Sequence, residues 1–261
     1  MTIDIDALTL KSGKLIHSTK RDGDDIEVRE LDGVRWFHFN SPAIQSAMLV
    51  NTPDKLVLPY ARTMLAGFMF QPKPKSLLSL GLGGGAFERF FREKRPKLKL
   101  QSVELNPLVI EISREYFNLD SDHYSIWQGG AEEYLDQTDQ NYDMIFCDIF
   151  GHDGAPPCLS NKNFYGNMAE RLTTSGVAVI NLLVKNGSEM LTMLQAAYPV
   201  FKTLALLDVP EDRNIIIFLS KQHAAPISPS AVKILAEDLD TDMPLLQKLM
   251  RFIPNPTAND T

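Results

Sequence analysis

The stretch LLSLGLGGGAFERFF, Leu77–Phe91, decides how the rest of the chain is read. An apolar run with the look of a buried strand ends in Gly81-Leu82-Gly83-Gly84-Gly85 and passes directly into a helical pattern. Glycines crowded into one turn cost backbone entropy, and they allow a tight turn and a close approach to the main chain. Free amides at a helix start favour a polar or anionic group. In open parallel sheets, ligands lie beyond the carboxyl ends of the strands, near the switch point. A ligand-cradling loop and a tight strand-to-helix connection without a ligand are the two readings, and the first accounts for the glycines.

Working outward, strands and helices alternate on both sides of this loop. KLQSVEL precedes PLVIEISREYF, YSIWQ precedes AEEYLDQ, YDMIFCDI precedes NKNFYGNMAERL, and GVAVINLL precedes SEMLTMLQAAY. FKTLALLDV and NIIIFLSK then read as an antiparallel hairpin pair. This spacing predicts an α/β fold: a mostly parallel, seven-stranded, methyltransferase-like Rossmann sheet covered on both faces. Before it, KLIHSTK, DDIEVREL and VRWFHFN are joined by Asp-Gly turns, which predicts a small N-terminal antiparallel β domain from about Lys14 to Asn40. A helix is expected over Lys55–Phe70, ended by QPKPK. The expected division is a β-hairpin domain over 1–54, a nucleoside-binding domain with its linking helix over 55–225, and a helical extension with a frayed tail over 226–261.

Glu104 closes the next strand in VELNP, where an acid can accept hydrogen bonds from two ribose hydroxyls. Asn106 and Pro107 start the following helix. The glycine loop with this acid points to an adenosine-type nucleoside and by itself does not separate a dinucleotide from S-adenosylmethionine. Three details lean away from NAD: the glycines lack the GxGxxG spacing, a β domain precedes the loop, and the sheet closes with an antiparallel hairpin. In WQGGAEEYL, Glu132 either approaches an adenine edge or caps its helix, and Glu133 reads as helix capping.

The loop after the fourth strand, YDMIFCDIFGHDGAPPCLS, carries the candidate chemistry. Asp148 ends an apolar strand, a costly place for a charge without a partner. A sulfonium or a cationic acceptor would supply one, and Asp148 could orient an attacking amine and take its proton. His152 is the better base near neutrality and Asp153 the better cation anchor; each also fits a solvated loop. Gln45, Tyr60 and Tyr165 are candidates for an acceptor pocket, with amphipathic packing as the alternative. Trp36, Phe39, Phe90 and Phe91 read as packing residues, and Arg89 as a solvated helix residue.

The 261 residues carry a net charge of −7, which weighs against a nucleic-acid partner. No apolar run approaches a membrane span, and the start MTIDIDALTLKSGK lacks a secretory pattern. Cys147 and Cys158 read as reduced, partly buried thiols, so a cytoplasmic setting is expected. Scattered histidines and the lack of HxxH, HExxH or CxxC spacing predict no metal site.

With these residues in view, the chain from Asp25 to about Leu182 resembles the spermidine synthase family of polyamine aminopropyltransferases. IEVRELDGVRWFHF resembles the family's first hairpin, SLLSLGLGGGAFERFF its VLVIGGGDGG loop and helix, and SVELNPLVIEISREYF its ribose-binding strand and helix. YDMIFCDI and FYGNMAERLTTSGVAVIN resemble its fourth strand and the segment that follows. The resemblance implies aminopropyl transfer from decarboxylated S-adenosylmethionine to putrescine or a related amine, and a homodimer formed through the N-terminal region. It places nucleoside binding on Gly81, Gly83, Gly85 and Glu104, and amine activation on Asp148. The chain departs from the pattern at Gly84, where the family has a loop Asp that helps hold the aminopropyl ammonium. It departs again at Gly130-Ala131, where Glu132 stands one position on, and at Gly151, with Asp153 two positions late. Gly84 is expected to enlarge the space at the sulfonium substituent, which would suit intact S-adenosylmethionine and methyl transfer to a small molecule. A nucleoside-binding homologue without chemistry is a third reading.

Overall fold

The computed structural model describes residues 5–21, 23–39, 41–119, 123–150, 156–210, 212–223 and 227–254. The first sheet is a four-stranded antiparallel meander of β1 (Lys14–Arg21), β2 (Asp24–Leu31), β3 (Val34–His38) and β4 (Ile44–Leu49) in that order. The Asp32-Gly33 turn joins β2 to β3 with both residues at positive φ, 49° and 78°, as a two-residue hairpin turn requires. The sheet therefore runs one strand further than the turn signals predict. β4 (IQSAML) lacks an Asp-Gly turn before it, and its burial comes from β3 and the glycine loop. Alternation sorts the two faces. Ile26, Val28 and Phe37 pack on Leu108, Val109 and Ile112 of the helix Pro107–Tyr116. Val34, Trp36 and Ala47 pack on Leu8, Val57 and Leu58.

The linking segment holds less helix than its apolar spacing predicts. Residues 55–58 are not helical, α1 covers only Pro59–Met64, and a 3-10 turn follows over Leu65–Met69. Pro59 stands in the first turn, where its missing N–H costs nothing. Leu56, Val57 and Leu58 are buried ahead of it, which accounts for the apolar run.

The large domain alternates β5 (Ser76–Leu80), α2 (Ala86–Lys94), β6 (Lys99–Glu104), α3 (Pro107–Tyr116), β7 (Ser125–Gln128), α4 (Ala131–Gln137), β8 (Tyr142–Cys147), α5 (Lys162–Glu170), β9 (Leu172–Leu182) and α6 (Gly187–Ala197). It closes with β10 (Thr203–Asp208), β11 (Ile215–Ser220), α7 (Pro229–Leu239), α8 (Met243–Leu249) and β12 (Arg251–Ile253). The sheet order is β12-β10-β11-β9-β8-β5-β6-β7. Strands β9, β8, β5, β6 and β7 pair in parallel, and β11, β10 and β12 pair antiparallel. The predicted hairpin is present, and the seven expected strands become eight because β12 adds to the outer edge of β10. The strands bury both faces. Leu78, Leu80, Ile145 and Ile180 point to the α4–α6 side, while Leu77, Met144, Phe146 and Val179 point to the side of α2, α7 and α8. No helix among the described residues is long and apolar enough to cross a membrane.

One carboxylate is folded into this core. Glu88 on α2 is 2% exposed and accepts a 2.7 Å hydrogen bond from the Ser102 hydroxyl on β6. Burial pushes it up to about 7, against the pull of the Ser102 bond and the Arg89 charge. A carboxyl raised above its unfolded value stabilises the fold while it stays protonated, and that stability is lost as pH rises through the folded value. The loss from Glu88 alone is expected to be roughly 3 kcal/mol between pH 4.5 and 8. Glu88→Gln should therefore equal the wild type in urea unfolding near pH 5 and exceed it at pH 8. Equal stability at both pH values would remove this account.

Candidate nucleoside and acceptor site

The sheet order reverses at β5, between β8 and β6, and the carboxyl ends of these three strands carry Gly81, Glu104 and Asp148 side by side. Pairing continues one residue past the strands: the Gly81 amide donates to the Val103 carbonyl at 2.9 Å and the Asp148 amide to the Leu80 carbonyl at 2.8 Å. Gly81 sits at φ 92°, and a Cβ built on it would collide with the Asp148 carbonyl. Gly83 lies beside the Gln45 carbonyl and Ser46 of β4, so the N-terminal sheet forms one wall of the loop. Gly85 caps the start of α2, and Leu82 packs under the loop with Ile110 and Leu119.

Gly84 corrects an expectation. The position a side chain would take is already filled by Ser46 Oγ at 2.7 Å and a Phe117 ring carbon at 2.9 Å. Its lack of a side chain fits β4 against the loop and does not enlarge the cleft. Arg89 is a second correction. It is 5% exposed, not solvated. Its Nε donates to the Pro53 carbonyl at 2.7 Å, and its Nη1 to the Phe117 carbonyl at 2.7 Å and to the Gly84 carbonyl. Burial lowers this guanidinium to about 10, so it keeps its charge at neutral pH. Arg89 thus ties the glycine loop to the end of α3 and to the segment after β4. Its burial depends on tertiary packing that the local pattern AFERFF does not carry.

Glu104 is partly exposed, and its two oxygens accept from the Leu82 amide at 3.1 Å and the Asn106 amide at 2.9 Å. Burial raises this carboxyl, while the surrounding backbone amides oppose the rise. The two bonds fix the group and leave lone pairs for hydroxyl donors. Leu105, absent from the sequence candidates, is 71% exposed between Glu104 and Asn106. An apolar residue directly after a strand-end acid is the signal that would have found it.

Asp148 is partly exposed at the mouth of the sheet. Its carboxylate accepts from Asn181 Nδ2 at 2.8 Å and from the Tyr60 hydroxyl. Burial pushes it up to about 6; the Asn181 and Tyr60 bonds hold it down, and the charge of Glu104 pushes it up. Tyr60 is raised well above its ordinary value by burial and then by Asp148, so it stays a neutral donor. The structure therefore brings together Tyr60, Gly81, Gly83, Glu104 and Asp148, with Gln45 meeting Gly83 through its backbone carbonyl. Glu132 stands exposed in the first turn of α4, on the side of Cys158. His152 and Asp153 lie outside the described residues.

Tyr165 does not join the cluster. It is 1% exposed in the α4–α6 core, and its hydroxyl donates to the Leu159 carbonyl at 2.9 Å. Its amphipathic spacing reports packing, with no face left for an acceptor. Cys147 and Cys158 are buried free thiols, and burial pushes both up, so neither is a thiolate near neutral pH. Among the described residues, no three His, Cys, Asp or Glu side chains are grouped to hold a metal.

A glycine loop, a strand-end acid and this strand order define a methyltransferase-like α/β fold. Within that class the chain is similar in sequence to the polyamine aminopropyltransferases, the spermidine synthase family. It is 32% identical over 159 residues to a polyamine aminopropyltransferase of Chromobacterium violaceum, a match covering 60% of this chain and 61% of the relative. The match thus spans less than two thirds of that relative's length. It is 25% identical over 197 residues to the eEF1A lysine and N-terminal methyltransferase of Xenopus laevis, covering 69% of this chain and 28% of the relative. Spermidine synthase from Thermotoga maritima shares the fold with a TM-score of 0.67 at 20% identity, over 92% of this chain and 85% of that one. No protein-family model matches the chain.

Proposed function

We propose that the chain is a transferase that holds decarboxylated S-adenosylmethionine beyond β5, β6 and β8 and moves its aminopropyl group to a small amine such as putrescine. The observation that carries this reading is the pair of strand-end carboxylates flanking Gly81. Glu104 is fixed by backbone amides toward the ribose side, and Asp148 stands partly exposed beside Tyr60 on the acceptor side. The likeness to the Chromobacterium aminopropyltransferase supports the choice of group. In this reading Gly81, Gly83 and Gly85 admit the nucleoside to the main chain, Leu105 lies along the base, and Glu132 approaches its edge.

The amine nitrogen attacks the aminopropyl carbon bonded to sulfur, the carbon–sulfur bond breaks, and its electron pair returns to sulfur. Neutral methylthioadenosine leaves, and the proton of the alkylated amine passes to Asp148. Glu104 and Asp148 are the two charges facing the sulfonium cation, and that attraction ends when the thioether forms. Gln45 and Tyr60 line the acceptor side. Asp212, exposed in the turn between β10 and β11, contributes to the raised Tyr60 value after burial and Asp148. It is a second carboxylate for the far ammonium of a diamine. A homodimer formed through the N-terminal sheet belongs to the same reading.

Methyl transfer from intact S-adenosylmethionine is the second reading. It is favoured by Gly84, since no loop carboxylate stands there and Ser46 and Phe117 leave no room for one. A product assay separates the two. With both forms of the donor and a panel of diamines, methylthioadenosine made only from the decarboxylated donor and an amine is the expected result. S-adenosylhomocysteine would replace this reading with the second, and no product from either donor would leave a nucleoside-binding protein. Glu104→Gln is expected to weaken methylthioadenosine binding roughly 10- to 100-fold by calorimetry, because a neutral amide accepts ribose hydroxyls more weakly than a carboxylate. Unchanged affinity would take Glu104 out of the site.

A further inference from the structure

We propose that Asn181 and Asn214 form a one-directional hydrogen-bond row across the sheet that positions the Asp148 carboxylate for the acceptor. The inference deepens the reading above and rests on Asp148 as the group facing the amine. Neither asparagine was a candidate site residue, although Asn181 closes the segment FYGNMAERLTTSGVAVIN, and neither bonds the glycine loop or Glu104.

The row follows the sheet order. Cys147, the last residue of β8, pairs with Ile180 of β9, so Asp148 is level with Asn181 one strand away. β11 runs antiparallel to β9 with Ile215 opposite Leu182, which places Asn214 at the same end of the sheet. Asn214 Nδ2 donates to Asn181 Oδ1 at 2.8 Å, and Asn181 Nδ2 donates to Asp148 Oδ1 at 2.8 Å. The direction is fixed by chemistry. An ionised carboxylate only accepts, so Asn181 must turn its NH₂ to Asp148 and its carbonyl to Asn214, and Asn214 must then present its own NH₂.

Asn181 is 1% exposed and Asn214 9% exposed, among Ile180, Leu182, Ile215 and Ile216. Buried amides in such surroundings are costly unless bonded. An apolar pair would pack there without that cost. Their value lies in delivering an oriented donor to a carboxylate that Tyr60 bonds from α1. Bonds aligned head to tail polarise one another, so the outer amide acts on Asp148 through the inner one.

Several titratable groups face Asp148. They are Glu104 from β6, Tyr60 from α1 with Asp212 behind it, Cys147 on its own strand and Glu88 on α2. Among the described residues, Tyr60 and the row donate side-chain hydrogen bonds to it. Removing Asn214 leaves the buried Asn181 carbonyl without its donor and takes away the polarisation that this bond adds to the Asn181 NH₂ facing Asp148. The charged form of Asp148 is then less favoured and its protonation midpoint rises.

The test is a carboxyl ¹³C NMR titration of aspartate-labelled free protein, with the Asp148 signal assigned by its loss in Asp148→Asn. Asn181→Leu should raise the Asp148 midpoint by about one pH unit and Asn214→Leu by about half a unit. Asn214→Ala is the second variant should leucine disturb the turn. A general loss of stability does not move the midpoint of one carboxylate. A midpoint within about 0.2 unit of wild type in both folded Asn214 variants would overturn the row, even if Asn181→Leu shifts it. No substrate is needed, so this result and a failed product assay are read separately. Where product forms, the acidic limb of kcat/KM should move with the midpoint, and the KM for the nucleoside should not.

Discussion

Asp148→Asn is expected to lower turnover roughly hundred- to ten-thousand-fold, the usual contribution of a positioned general base. The substitution keeps shape and most of the local bonding. The amide oxygen can still accept from Asn181 Nδ2, and the new NH₂ can face the Tyr60 hydroxyl, which rotates to accept. What is lost is the capacity to take a proton and the negative charge beside the sulfonium. Affinity is therefore best measured with neutral methylthioadenosine, which should bind within about threefold of wild type if the amide only removes charge and proton acceptance. The pH profile gives a second handle. Because burial pushes Asp148 up to about 6, wild-type kcat/KM should fall as pH drops through that value, as the base becomes protonated. The variant should lack this limb. Turnover within tenfold of wild type, or an unchanged acidic limb, would remove Asp148 from the proton-transfer role.

The parts of the site legible in the sequence are those encoded locally. A glycine cluster between a strand and a helix, an acid at the next strand end and an acid at the fourth are each read from a few consecutive residues, and Gly81, Glu104 and Asp148 do meet at one sheet edge. What failed depends on residues far apart in the chain. Arg89 looks like any charged residue on a helix until Pro53, Gly84 and Phe117 close around it. Gly84 looks like open space until Ser46 of β4 fills it, and β4 itself has no turn signal ahead of it. Tyr165 has the spacing of a cleft residue and the surroundings of a core one. Asn181 is a neutral amide at the end of the apolar strand GVAVIN, and nothing in its local sequence marks it. Its partner Asn214 comes 33 residues later, and only the antiparallel placement of β11 beside β9 brings the two amides together.

Gly81→Ala is expected to be the most damaging single-methyl change in the chain. Two effects add. The residue sits at φ 92°, outside the left-handed well that an L side chain tolerates, and the new Cβ would run into the Asp148 carbonyl. The obstacle is backbone, so no rotamer change relieves it. It can yield only by separating the ends of β5 and β8, which are held by the Asp148 amide on the Leu80 carbonyl, while the Gly81 amide on the Val103 carbonyl ties the same end of β5 to β6. The destabilisation should be roughly 3 kcal/mol or more, about 6–12 °C in Tm for a chain of this size. Gly83→Ala is the control from the same loop. Gly83 has φ 53°, inside the left-handed region, and its Cβ would meet nothing nearer than 3.6 Å. It should cost about 1 kcal/mol, the ordinary penalty of a left-handed non-glycine residue. The two variants should also differ in binding. Gly81→Ala moves the glycine loop and Asp148 together, so methylthioadenosine affinity should be lost even where the protein stays folded. A Gly81→Ala protein no less stable than Gly83→Ala, with its affinity intact, would mean that the close contact between the first and fourth parallel strands does not hold the cleft in shape.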